Sequence, residues 1–290
     1  MSENETKAYP RIRIILDHPY LAIVLSALLF YIPAFLLTEG LYFLMPEFTE
    51  RFRPDIILDI AIAIACLFLF KRLFKGQYTG NLSWRHFGLG MLLLIPMLFF
   101  VAMNFSSIDY SNLTVESVVL CLFDAVAVGI QEETAFRALS GANFMRVRPD
   151  GHRLVLFVTI SGLFFGLCHM GNIATVGAAF DETLMQVISA SGLGVLLAAV
   201  YFRTGSLIPG IVFHVLVDFP SFLVGETTEY VPEPVTPESF IVECVLGLII
   251  AGIGYWYLRR SKREKMKAVW AEKWPAVFAE DSAQEEIPPA

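Results

Sequence analysis

Glu132, Glu133 and Arg137 lie in the run Val126-Ala-Val-Gly-Ile-Gln-Glu-Glu-Thr-Ala-Phe-Arg137, an otherwise apolar stretch. An ionisable side chain inside a bilayer costs ~2.5–3.5 kcal/mol on insertion scales, so three so close together need partners, a wet cavity or a reaction to serve. Two later apolar stretches hold further ionisable groups. His169 ends Phe164-Phe-Gly-Leu-Cys-His169, and His214 and Asp218 lie in Ile211-Val-Phe-His-Val-Leu-Val-Asp218. Carboxylates and imidazoles at membrane depth are suited to acid–base chemistry on something the bilayer itself holds.

Helix geometry divides the work among them. Glu133 stands one turn from Arg137 on the same face, which makes the two a structural ion pair. Glu132 is turned ~100° away and faces a cavity, where a carboxylate can act as general base or acid. His214 and Asp218 also share a face, so the carboxylate can hold the imidazole's tautomer and orientation. Taken singly, each patch also has a structural reading: a buried network, a histidine at a helix end, a satisfied His–Asp pair. The same residue types also bind divalent metals such as zinc, and the ligands would then be Glu132, His169, His214 and Asp218. No HExxH motif is present, which favours chemistry without a metal or other cofactor. Asp55 and Asp59 read as solvated at a span's outer end. Asp124, ~12 Å along the helix from Glu132, is given no role. Cys66, Cys121, Cys168 and Cys244 have no CxxC spacing and read as small core residues. Cys168 is no better as a nucleophile, because an apolar site keeps a thiol protonated and inert.

The elements that must position these groups are membrane helices. The chain has 290 residues, 56% hydrophobic and 17% charged, with mean hydropathy +0.62, which sets soluble folds aside. A bilayer core takes about 20 apolar residues as helix. Eight segments meet that: 20–45, 55–70, 88–104, 114–140, 153–170, 183–202, 206–225 and 239–258. With the N-terminus inside, every Lys and Arg lies on the inner side except Arg51 and Arg53 in an outer loop and Arg137 within the membrane. The positive-inside rule therefore favours an all-α bundle of about eight transmembrane helices with both termini cytoplasmic. The first span is too long for a cleaved signal peptide. The domain plan is a cytoplasmic segment 1–19, a transmembrane domain 20–258 and a cytoplasmic tail 259–290. The tail's basic run should lie on anionic headgroups, with Trp270 and Trp274 at the interface and a disordered acidic end. No basic face for nucleic acid is visible, despite a net charge of −7 that sits in loops and tails.

Three motifs in order, Glu132-Glu133-Thr-Ala-Phe-Arg137, Phe165-Gly-Leu-Cys-His169 and His214-Val-Leu-Val-Asp218, resemble the CPBP (CAAX protease and bacteriocin-processing, or Abi) family of intramembrane endopeptidases. That family includes the type II CAAX prenyl endopeptidases. The resemblance covers about residues 114–225, and the flank Gly205-Ser-Leu-Ile-Pro-Gly-Ile-Val-Phe-His214 shares it. It implies that Glu132 and His169 activate a water and that His214 and Asp218 stabilise the oxyanion. Amide hydrolysis needs those same parts. Asp218 stands where the prenyl proteases of eukaryotes more often have Asn, and an ionised Asp cannot donate to an oxyanion. Ala138 replaces the family's glycine after the Arg. The implied substrate is a membrane-associated or lipidated (CAAX-like) protein or peptide. The implied setting is a multi-pass integral membrane protein in contact with membrane lipid, in the plasma (inner) membrane if the source is prokaryotic. A proton-coupled transporter uses the same buried groups, and a non-proteolytic scaffold or immunity protein of the same family is a further alternative. Depth along the spans sets a condition. Measured from the inner side His214 is ~12 Å in and Glu132 ~20 Å in. His169 is deeper still, so the sites meet only if helix four is long and the helices tilt, or if span five starts late.

Overall fold

A computed structural model describes residues 18–48, 54–75, 77–147, 149, 151–175, 178–228 and 235–278. The expectations for segment 1–17, for Arg51 and Arg53 and for the acidic end fall outside the described residues, as do those for the side chains of Asp55 and Asp59. The described chain is all helical. Helix α1 is Pro19–Leu44 and α2 is Pro54–Leu73. Helix α3, Phe87–Ser106, tightens to a 3₁₀ turn at Ile95–Met97, where Pro96 removes a backbone donor. Helix α4, Val115–Glu133, passes through a π turn, Thr134–Ala138, into α5, Leu139–Arg146. Then come α6, Gly151–Cys168; α7, Phe180–Thr204; α8, Ile208–Thr227; α9, Pro237–Tyr257; and α10, Arg263–Lys273. All eight expected spans fall on helices. Among the described residues five, α3, α6, α7, α8 and α9, are long and apolar enough to cross a membrane. The chain is a helical integral membrane protein.

Helix α7 is the bundle's centre, packed chiefly against α6 and α9. Val195 to Thr204 are all buried, because neighbouring elements cover every face of that stretch. Beside it Phe144, Phe157 and Phe202 stack, with the first two ring centroids 4.1 Å apart. This places α5 firmly against α6 and α7, and through the π turn fixes α4.

The tail departs from expectation. Trp270 and Trp274 are fully buried rather than at a headgroup boundary. Their indole N–H groups donate to the Phe202 carbonyl (2.9 Å) and the Ala142 carbonyl (3.1 Å). An indole combines a large apolar area with a single donor that needs an acceptor when buried, so it suits a core site as well as an interface. Lys273 donates from Nζ to the Gly80 carbonyl at 2.9 Å. Beside it, the Asn81 side-chain oxygen accepts from the Tyr78 and Tyr201 hydroxyls, each at 2.5 Å. Helix α10 thus closes one end of the bundle over the loop after α2.

Candidate active site

The polar cluster forms where α8 crosses α4. Two glycines allow the approach. A Cβ at Gly129 would sit 2.9 Å from the His214 Cβ, and one at Gly210 would sit 2.5 Å from Glu133 Oε2. With no side chain at either position, the helices close until His214 lies between the α4 carboxylates. His214 Nε2 is 3.0 Å from Glu133 Oε1. Its Nδ1 is 3.5 Å from Glu132 Oε2 and 3.6 Å from Asp218 Oδ2. A carboxylate therefore stands at each ring nitrogen, an arrangement in which both nitrogens serve as donors.

Glu133 also faces Arg137 at 3.3 Å, with both side chains 1% exposed. That contact is an approach of charges rather than an aligned hydrogen bond, since Arg137 Nε and Nη1 have no hydrogen-bond partner among the described residues. Nη2 reaches the Gly194 carbonyl at 3.5 Å. The guanidinium lies 4.4 Å from the Phe165 ring centroid, where the negative face of the ring offsets part of its charge. Glu132 is the more open carboxylate, its side chain 14% exposed.

The π turn carries the arginine, and its altered ladder leaves carbonyls for side chains to satisfy. Ser26 of α1 donates to the Ala135 carbonyl at 3.0 Å, and Ser161 of α6 donates to the Phe136 carbonyl at 3.4 Å. The serines show no sequence signal, being single small polar residues in apolar spans.

His169 follows the last turn of α6, half-buried, with Nδ1 3.1 Å from the Phe165 carbonyl. A carbonyl only accepts, so this bond fixes the proton on Nδ1 and leaves Nε2 as the basic nitrogen. Phe165 joins the two histidines: its ring centroid is 5.2 Å from that of His169 and 6.1 Å from that of His214, edge-on to both. Of the conditions on depth, the long fourth helix is present, since α4 runs through the π turn to Arg146, and the late start of span five is not, since α6 begins at Gly151.

Each residue singled out for chemistry from the sequence falls in or beside this cluster. Phe165 was present in a motif but had been assigned no part. Among the described residues, no three His, Cys, Asp or Glu side chains are grouped to hold a metal ion. His214, the natural centre of such a set, has both nitrogens turned to carboxylates. None of the four cysteines forms a disulfide among the described residues.

Residues 114–220 match the family model described as type II CAAX prenyl endopeptidase Rce1-like, against about 114–225 expected from the motifs. No curated protein and no solved structure matches the chain.

Proposed function

We propose that this chain, which carries an Rce1-like type II CAAX prenyl endopeptidase domain at residues 114–220, hydrolyses a peptide bond of a membrane-associated or lipidated CAAX-like substrate with water activated by Glu132 and His169. The family is one of CAAX-type intramembrane proteases. The observation that carries the finer reading is the division of labour around His214. Glu133 is engaged by Arg137 and the Nε2 side of the ring, whereas Glu132, among the described residues, makes a 3.5 Å contact and keeps some exposure.

The steps follow from these positions. Glu132, assisted by the basic Nε2 of His169, takes a proton from a water, whose oxygen attacks the substrate carbonyl carbon. The negative charge that forms on the carbonyl oxygen is met by the His214 Nδ1–H, which long contacts to Glu132 and Asp218 leave available. Glu133 holds the opposite side of that ring, and Asp218 orients it rather than donating. The C–N bond breaks as the proton taken from water passes to the leaving amine. No step calls on a metal or other cofactor. On this reading it is a multi-pass protein with both termini cytoplasmic, in the plasma (inner) membrane if the source is prokaryotic.

The test is a profile of membrane-protein termini by mass spectrometry in cells carrying the wild type or Glu132→Ala. New termini that vanish with Glu132→Ala are expected, and His169→Ala should lower the purified rate by ~10²–10⁴. Identical termini at equal protein levels would overturn the reading.

A further inference from the structure

The end of the bundle where α6 begins and α9 stops has two cavities outside the carboxylate cluster. One, of about 280 Å³, has Leu154, Met266 and Trp270 as its floor and Arg260, Arg263 and Lys267 on its rim. The other, of about 380 Å³, runs along α6 past Val155, Leu156 and Thr159. Gly151 and Arg263 line both. The Arg263 guanidinium lies on Gly151, in space that any side chain there would fill, so it forms the passage between them.

We infer that this end binds an anionic phospholipid, its phosphate held by Arg260, Arg263 and Lys267 and an acyl chain lying along α6.

The charge favours an anion. Glu264 is the acid among the described residues of the rim, and it pairs with Lys267 at 2.9 Å, leaving the two arginines uncompensated among those residues. Arg259, Lys262 and Lys265 add to the same field. The charge of Arg259, followed by burial and by Arg203 and Lys265, holds the Lys262 amine below the ordinary lysine range. The positive end of the α6 dipole also points to this rim. The apolar groove favours a lipid over free phosphate. Val155 and Leu156 are exposed on a helix apolar enough to span a membrane. The Thr159–Tyr255 hydroxyl bond (2.9 Å) closes the groove between α6 and α9. Arg259 stacks 3.7 Å over the exposed Trp256 ring, an arrangement suited to the headgroup level.

The test uses the full chain in phosphatidylcholine nanodiscs with a minority of phosphatidylglycerol, and reads bound lipid by native mass spectrometry. The wild type should be enriched in phosphatidylglycerol over the surrounding bilayer. Arg260→Ala/Arg263→Ala/Lys267→Ala should lose that enrichment about tenfold or more, while Lys265→Ala, outside both cavities, should keep most of it. Emission from buried Trp270 and Trp274 reports whether the triple variant is folded. Lys267→Glu, at an exposed position, gives the same test if the triple variant is not. Enrichment equal to wild type in a folded variant overturns the proposal. So does displacement of the lipid by millimolar inorganic phosphate, which would make this a site for the free anion. The readout requires no proteolysis, so it stands or falls separately from the activity.

Discussion

Replacing Glu133 with alanine removes the carboxylate that Arg137 and His214 share. Arg137 is 1% exposed, lacks hydrogen-bond partners for Nε and Nη1, and reaches only one carbonyl, at 3.5 Å. Removing one partner of such a buried pair costs ~3–5 kcal/mol, because the remaining charge is stranded in a poorly solvating interior. The Phe165 face, 4.4 Å from the guanidinium, stays in place, so the stranded charge keeps one favourable neighbour. The expected loss is therefore about 3 kcal/mol, at the lower end of the range. At ~2–4 °C per kcal/mol for a larger domain, the melting temperature should fall by roughly 6–12 °C. Glu132→Ala should cost about 1 kcal/mol, since among the described residues it breaks a 3.5 Å contact and strands no buried guanidinium. Thermal unfolding in detergent, followed through the buried tryptophans, measures both. Glu133→Ala/Arg137→Met should recover part of the loss, because no charge is then stranded. If Glu133→Ala melts with the wild type, or Glu132→Ala loses as much as Glu133→Ala, the division between the two glutamates is wrong.

Gly210→Ala places a Cβ 2.5 Å from Glu133 Oε2 and 2.7 Å from its Cδ. Overpacking of this kind costs ~1–3 kcal/mol and should lower turnover by shifting the carboxylate against His214, as melting and peptidase assays would reveal. Trp274→Ala empties a fully buried site and removes the donor to Ala142. It should cost ~3–5 kcal/mol in the same melting assay, where a surface anchor would cost little. Burial, partly opposed by Glu272, pushes the Lys273 amine down from 10.5 to about 8. Between those values the unfolded chain binds a proton that the folded chain does not, so stability should rise with pH across that window and be flat in this respect below it. Lys273→Met should abolish the rise, as read from melting temperatures at pH values from neutral to alkaline.

Local geometry was legible in the residues alone. Apolar runs of bilayer length fix where helices form, and one-turn spacing fixes which side chains share a face. The Glu133–Arg137 and His214–Asp218 contacts, both one turn apart, were therefore readable without a fold. What brings His214 to Glu132 and Glu133 is the crossing of α4 and α8, and hydropathy does not encode crossings. Gly129 and Gly210 are the cause, but a glycine in an apolar run looks the same whether it meets a neighbouring helix or lipid. The π turn is equally silent, because it is held by Ser26 and Ser161 from other helices. The tail was misread for a related reason. Basic residues followed by Trp270 and Trp274 describe an interfacial anchor and a docked amphipathic helix equally well. Only the acceptors waiting at Phe202 and Ala142 decide between them, and those carbonyls take their places when α5, α7 and α10 pack together.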